Sequence, residues 1–258
     1  MKTIRWVITA AATAAIGFVG MPAPVASGQS GPLQVLVSNG VKTVVDEIRP
    51  EWERAAGRPL QLEFGTTAAL KQRIERGEPF DIAVLTSEAI DQLLKDGKIR
   101  AGSRLDLARC GIGMGMRAGA AKPEIGTVDA LKRTLHSAQS VTFAEAGASR
   151  GYLDKMFAQF GMADEMKAKT ILTPSSVNSN QLVSEGKAQY ILTLVSEILP
   201  APGVALAGPL PAEVQSYVSF AAGLSATGTN LAARSAALKF LKSPPVAPVF
   251  QAKGLEPR

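Results

Sequence analysis

The sequence predicts an α/β protein of two lobes, each a mostly parallel sheet covered by helices, with two crossing segments between them. Short apolar or alternating segments take turns with helix-spaced segments three times between residues 33 and 97, and again between 127 and 195. That alternation favours parallel strands, because a strand-helix-strand crossover returns the chain in the same direction. An apolar, glycine-dotted stretch, RCGIGMGMRAG (109–119), leaves the first block, and SYVSFAAGLSA (216–226) returns to it after the second. Residues 31–110 with 216–258 are therefore expected to form lobe I, and 111–215 lobe II.

The elements follow in order. LQVLVSNGV (33–41) is a short apolar strand ending in a polar turn, and Val41, Val44, Val45 and Ile48 continue at helical spacing to Gly57, with Pro50 placed to bend that helix. PLQLEFG (59–65) alternates as a strand, TTAALKQRIERG (66–77) reads as a helix, and FDIAVLT (80–86) is a buried strand. SEAIDQLLKDG (87–97) begins with a capping serine and stops at glycine. The second block predicts helices at 127–137, 150–160 and 177–185, with strands at 140–146, about 169–173 and 188–195. The Pro- and Gly-rich segment 200–215 reads as a connection, after which come the return strand, a helix over 230–241 and a last one over 246–255.

The first residues open with Lys2 and Arg5, run apolar to Val19 and end in small residues, which is the layout of a secretory signal peptide over 1–27. Gly20, Pro22 and Pro24 interrupt the run before it reaches the ~20 residues of a membrane span. Cleavage would lower the formal charge of +6 by two. The remaining basic residues are scattered and aromatics are few, so a nucleic-acid surface has no support, although a mild positive field suits a small anion. One cysteine (Cys110) and one histidine (His136) leave no intramolecular disulfide and no Cys/His zinc cage, and no cofactor or metal is expected.

Gly147-Ala148-Ser149-Arg150-Gly151 is a literal G-x-S-x-G. It fits a hydrolase nucleophile turn or an anion-binding helix start, since both need small residues between a strand and a helix. A nucleophile elbow needs its histidine after the serine, and His136 precedes Ser149. No phosphate loop appears, and GIGMG precedes neither a helix nor the acidic residue a dinucleotide site requires. A catalytically inert binding protein is expected over an exported serine hydrolase using Ser149.

VLVSNGVKTVVDEI, FGTTAALKQRIERGEPFDIAVLTSEAIDQLLKDGKI, GASRGYLDKMFAQFGMADEMKAKT and SEGKAQYILTLVSEILPAPGVALAGPLPAEVQ together resemble the periplasmic substrate-binding proteins of the molybdate-binding type, which serve ABC importers. The likeness runs over essentially the whole mature chain. It implies a type II periplasmic-binding fold whose lobes close on a small anion, held by hydroxyls and helix-start amides. It further implies a periplasmic location and an inner-membrane ABC permease as partner. A sensory module of the same fold is the remaining alternative.

Carried over residue by residue, the resemblance places four ligand-binding loops at Ser38, Asn39 and Gly40; at Thr66 and Thr67; at Ala148, Ser149 and Arg150; and at Ser175 and Ser176. Each hydroxyl has a competing role as a helix cap. Molybdate binders commonly carry a serine where this chain has Gly40 and a tyrosine where it has Leu194. Arg150 replaces a frequent glycine, and its guanidinium would suit a carboxylate. The expected ligand is a molybdate- or tungstate-like oxyanion or a small organic carboxylate.

Overall fold

A computed structural model describes residues 31–258, so the expected signal at 1–27 lies outside the described residues. The first block comprises β1 (Leu33–Ser38), α1 (Lys42–Ala56), β2 (Leu60–Gly65), α2 (Thr67–Glu75), β3 (Ile82–Thr86) and α3 (Ser87–Lys95), and β4 (Leu105–Arg117) leads out of it. The second comprises α4 (Val128–Ser137), β5 (Val141–Ala144), α5 (Arg150–Gln159), α6 (Ala163–Lys169), β6 (Thr170–Thr173), α7 (Ser176–Ser184), β7 (Tyr190–Leu194), α8 (Val195–Ile198) and β8 (Val204–Pro209). The chain ends with β9 (Tyr217–Leu224), α9 (Leu231–Phe240), α10 (Val246–Ala252) and β10 (Glu256–Pro257).

Four of these elements were not expected. α6 buries only Met166, so its polar sequence carries no apolar period. β8 lies in the Pro/Gly-rich segment and is held by pairing with β4, while α8 and β10 are too short to leave a pattern. The cap of α3 also shifts by one: Thr86 takes the extended N-cap conformation, and Ser87 is the first helical residue.

The strands run in the order β2-β1-β3-β9-β4-β7-β5-β6. β1, β2 and β3 are parallel, as are β5, β6 and β7, whereas β9 is antiparallel to both β3 and β4. The long β4 serves both halves. Up to Gly111 it pairs with β9, and from Ile112 it pairs with β7 and β8. Because β3 runs with β4 and β7 runs against it, the C-terminal ends of β1–β3 face those of β5–β7 across the junction. Ligands in open α/β sheets bind at such ends.

Alternation along β1 sets the layers. Val35 and Val37 pack with Val44, Val45, Ile48 and Trp52 of α1, whereas Leu36 turns to the cluster of α2 and α3. Trp52 is fully buried, and its indole N–H donates to Ala237 O at 2.8 Å, tying α1 to α9. α1 continues through Pro50 and stops at Gly57, whose φ of 65° ordinary residues avoid. A second anchor is Arg234, 0% exposed, whose guanidinium donates to the carbonyls of Gly228, Ser225 and Asp81 beside β3. Burial pushes this group down from its ordinary range, and those acceptors compensate for its lost hydration.

Candidate functional site

The facing strand ends enclose a groove of about 510 Å³, lined among others by Thr67, Thr86, Ile112, Ala148, Tyr152 and Ser216. Three strand-to-helix turns contribute, those after β2, β3 and β5, and the crossing segments form its floor. Each turn leaves the first amide groups of a helix without intrahelical partners and concentrates about half a positive charge there.

The expected hydroxyls divide between capping and lining. Thr66 caps α2, accepting from Ala69 N at 3.2 Å, which leaves Thr67 to face the groove. Thr86 N donates to Thr67 Oγ1 at 3.4 Å, and the Thr67 hydroxyl donates to Ser38 Oγ at 3.1 Å. A hydroxyl holds one donor and two acceptor positions, so this relay occupies an acceptor position of buried Ser38 and leaves its proton for a further acceptor. Three adjacent strand ends are thereby joined by polar contacts.

Asn39 and Gly40 lie in the short 3-10 turn between β1 and α1. A Cβ on Gly40 would stand 2.4 Å from Phe220 Cζ and 2.9 Å from Leu194 Cδ1. Gly40 and Leu194, the two departures from the molybdate-binder pattern, are thus neighbours in space, with Phe220 the side chain that stands closest to position 40. Ser196 of α8 donates to Gly40 O at 2.7 Å and accepts from the buried Cys110 thiol at 3.4 Å, so the turn is fastened to the second half of the sheet. Burial raises the Cys110 thiol above its ordinary range.

Ala148 lines the groove, and Ser149 is buried at the N-cap position of α5. Arg150 lies elsewhere. Its guanidinium pairs with Asp154 at 2.7 Å, stands 5.4 Å from the Phe143 ring centre, and lines a separate cavity with Phe157 and Leu172. The i to i+4 spacing on α5 offers it a local carboxylate. His136 is on the surface against Glu165 at 3.1 Å, with 77% of its side chain exposed, far from the role of a serine's base.

Ser175 caps α7 and donates to Asn178 Oδ1 at 2.7 Å. Ser176 is buried, and its hydroxyl contacts the carboxyl of Glu197, which also accepts from Thr193. Burial raises the Glu197 carboxyl above its ordinary range, outweighing those hydrogen bonds. Neither Ser175 nor Ser176 lines the 510 Å³ groove.

Sequence reasoning missed Thr86, Tyr152, Ser216 and Glu197. Tyr152 donates its phenol proton to Val214 O and so ties α5 to the returning crossing segment. Glu197 carried a usable signal, an acid within the apolar run YILTLVSEILP. Among the described residues no group of three or more His, Cys, Asp or Glu could hold a metal ion, and no helix is long and apolar enough to cross a membrane.

Residues 33–256 match a model of bacterial extracellular solute-binding proteins. A relative from Pseudomonas sp. named aconitate isomerase is 31% identical over 231 residues, covering 87% of each chain. Among solved structures, the periplasmic molybdate-binding protein of Azotobacter vinelandii superposes with a TM-score of 0.71 at 14% identity, over 86% of this chain and 98% of its own. The substrate-binding domain of a molybdenum ABC transporter described as putative, from Clostridium difficile, superposes at 0.66 and 16% identity, over 88% and 99%. These two likenesses establish the type II periplasmic-binding fold.

Proposed function

The chain belongs to the bacterial extracellular solute-binding proteins, and from that premise we propose that it captures a small organic carboxylate in its interlobe groove and delivers it to an ABC permease. In this reading residues 1–27 direct export, and the lobes divide at residues 110/111 and 215/216. Closure of the lobes brings the helix starts of α2, α3 and α5 onto one ligand. Thr67 turns its hydroxyl proton from Ser38 to a first carboxylate, Ser38 then donates to Thr67 in its place, and Thr86 and Ala148 supply further neutral donors to the ligand. Lys71, one turn into α2 and also on the groove wall, meets a second by exchanging its partner Glu75 for the ligand.

The contact between Gly40 and Leu194 carries the choice of ligand. It removes together the two hydroxyls that molybdate binders commonly place around a compact tetrahedral dianion. A groove of about 510 Å³ lies within the ~300–1,000 Å³ of small-molecule sites. The relative named aconitate isomerase, much nearer in sequence than the oxyanion-binding neighbours, also points to carboxylates; aconitate has three.

Melting shifts with citrate, cis- and trans-aconitate, succinate, molybdate, tungstate and sulfate test the proposal, because a ligand selective for the native state raises stability by mass action. Carboxylates are expected to give saturable shifts at millimolar concentration. Shifts confined to the inorganic oxyanions would refute it.

The same relative supports a second reading, an isomerase acting on a bound carboxylate. Conversion of cis- to trans-aconitate exchanges the position of an allylic proton, which requires a base beside the methylene carbon. Glu88, Tyr152 and Tyr217 are the titratable groups other than Lys71 on the groove wall. Proton NMR of cis-aconitate incubated with the protein decides between carrier and enzyme.

A further inference from the structure

The wall of the anion groove carries its charges unevenly. The first turns of α2 and α5 hold no acidic residue, whereas that of α3 holds Glu88. Glu88 is exposed on the groove wall and makes no hydrogen bond or ion pair among the described residues. The other charged group on that wall, Lys71, is matched by Glu75. Of the remaining titratable groups there, Tyr152 donates its phenol proton to Val214 O, and the centre of the Tyr217 ring lies 4.1 Å from Arg109 Cζ, whose guanidinium is itself paired with Glu256. The next acid along α3, Asp91, is held by Arg104. Glu88 is therefore the unmatched charge of the groove.

An acid in the first turn complements the partial positive charge of a helix start, which accounts for Glu88 on α3 but not for its place beside a bound anion. The same charge cancels, at α3, the field that draws an anion to a helix start. A cavity of about 510 Å³ is about 10 Å across, no more than the ~10 Å screening length at 0.1 M salt, so this carboxylate acts on a ligand anywhere in the groove without touching it. A ligand that is negative throughout is opposed on this side. One that turns its carboxylate to α2 and α5 and a hydrogen-bond donor to α3 is matched at both ends. We propose that Glu88 is the specificity-determining residue of the groove, selecting small carboxylates that also carry a hydrogen-bond donor, an ammonium group before a hydroxyl. The ammonium ranks first because it meets a full charge with its opposite, and charge-assisted hydrogen bonds are about twice as strong as neutral ones. Lobe closure strengthens the pairing by excluding water from it. A dicarboxylate bearing an amino group thereby finds partners in the helix starts, Lys71 and Glu88. The inference rests on the carboxylate reading of the groove and names, within it, the class of ligand the groove prefers.

Titration calorimetry with succinate, L-malate and L-aspartate tests the assignment, because these dicarboxylates of equal length differ in one substituent: hydrogen, hydroxyl and ammonium. In the wild-type protein affinity is expected to rise in that order, by about two- to tenfold per step. Glu88→Gln keeps an acceptor but loses the charge, and should bring aspartate down to the level of malate. Glu88→Ala removes both and should leave the three within about twofold of one another, with succinate bound more tightly than by wild type. The proposal is overturned by any other order in the wild type, or by the wild-type order persisting in either variant with native far-UV circular dichroism. Equal, saturable binding of all three would leave the carboxylate reading standing and remove the role of Glu88. If none of the three binds, the assignment falls, and the carboxylate reading falls with it where citrate and both aconitates fail as well.

Discussion

Alanine at position 40 would place a methyl group 2.4 Å from Phe220 Cζ and 2.9 Å from Leu194 Cδ1, where carbon atoms ordinarily approach to about 3.5–4.0 Å. The backbone at Gly40 is not left-handed, so the substitution adds overlap without dihedral strain. Phe220 is 1% exposed and Leu194 2%, and the ring must retreat by roughly an ångström into a filled core. Overpacking of this kind costs about 1–3 kcal/mol. For a chain of this size each kcal/mol lowers Tm by about 2–4 °C, so Gly40→Ala should melt roughly 2–12 °C below wild type. Leu194→Ala alone should cost about 2–5 kcal/mol by opening a cavity. In the double variant the new methyl group occupies part of that cavity, and the two costs should sum to less than their separate values, with a coupling of at least about 0.5 kcal/mol. Urea unfolding of the four proteins measures this. An unchanged Gly40→Ala, or strictly additive costs, would refute the packing of position 40 against 194.

Thr67→Val breaks the relay from Thr86 to Ser38 and removes a donor to the ligand. Hydrogen bonds to charged groups are worth about 1.5–3 kcal/mol, so carboxylate affinity by calorimetry should fall about ten- to a hundredfold. Arg234→Leu leaves the carbonyls of Gly228, Ser225 and Asp81 without their buried donor and should lower the urea-derived stability by roughly 3–5 kcal/mol; a loss below 1 kcal/mol would contradict that role. Glu197 has a raised folded-state pKa, so the native state binds its proton more tightly than the unfolded chain does. Its stability contribution is present below the ordinary carboxylate pKa of about 4.3 and is lost as pH rises through the folded value. Glu197→Gln, neutral throughout, should therefore lose less stability than wild type between pH 4 and the higher folded pKa; parallel pH profiles would contradict the assignment.

The architecture was legible because strands and helices alternate with different apolar periods and because glycines close the helices. β8 stayed hidden in a Pro- and Gly-rich segment, since its strand character comes from pairing with β4 and not from its own side chains. At the site, the sequence marks where hydroxyls cluster at helix starts but not which way each one turns. Thr66 caps and Thr67 faces the groove, although the two are adjacent and chemically identical. Arg150 suggested a ligand contact, yet Asp154 one turn along α5 offers it a local partner. Gly40 and Leu194 read as two independent departures from a family pattern, and only the fold shows them to be one contact.

The most direct measurement is a crystal structure of the protein grown with trans-aconitate. Carboxylate oxygens of that ligand are expected in the groove, within about 2.7–3.2 Å of the Thr67 hydroxyl and of amide groups at the starts of α3 and α5. A groove that stays empty of carboxylate while accepting molybdate or tungstate would contradict the assignment.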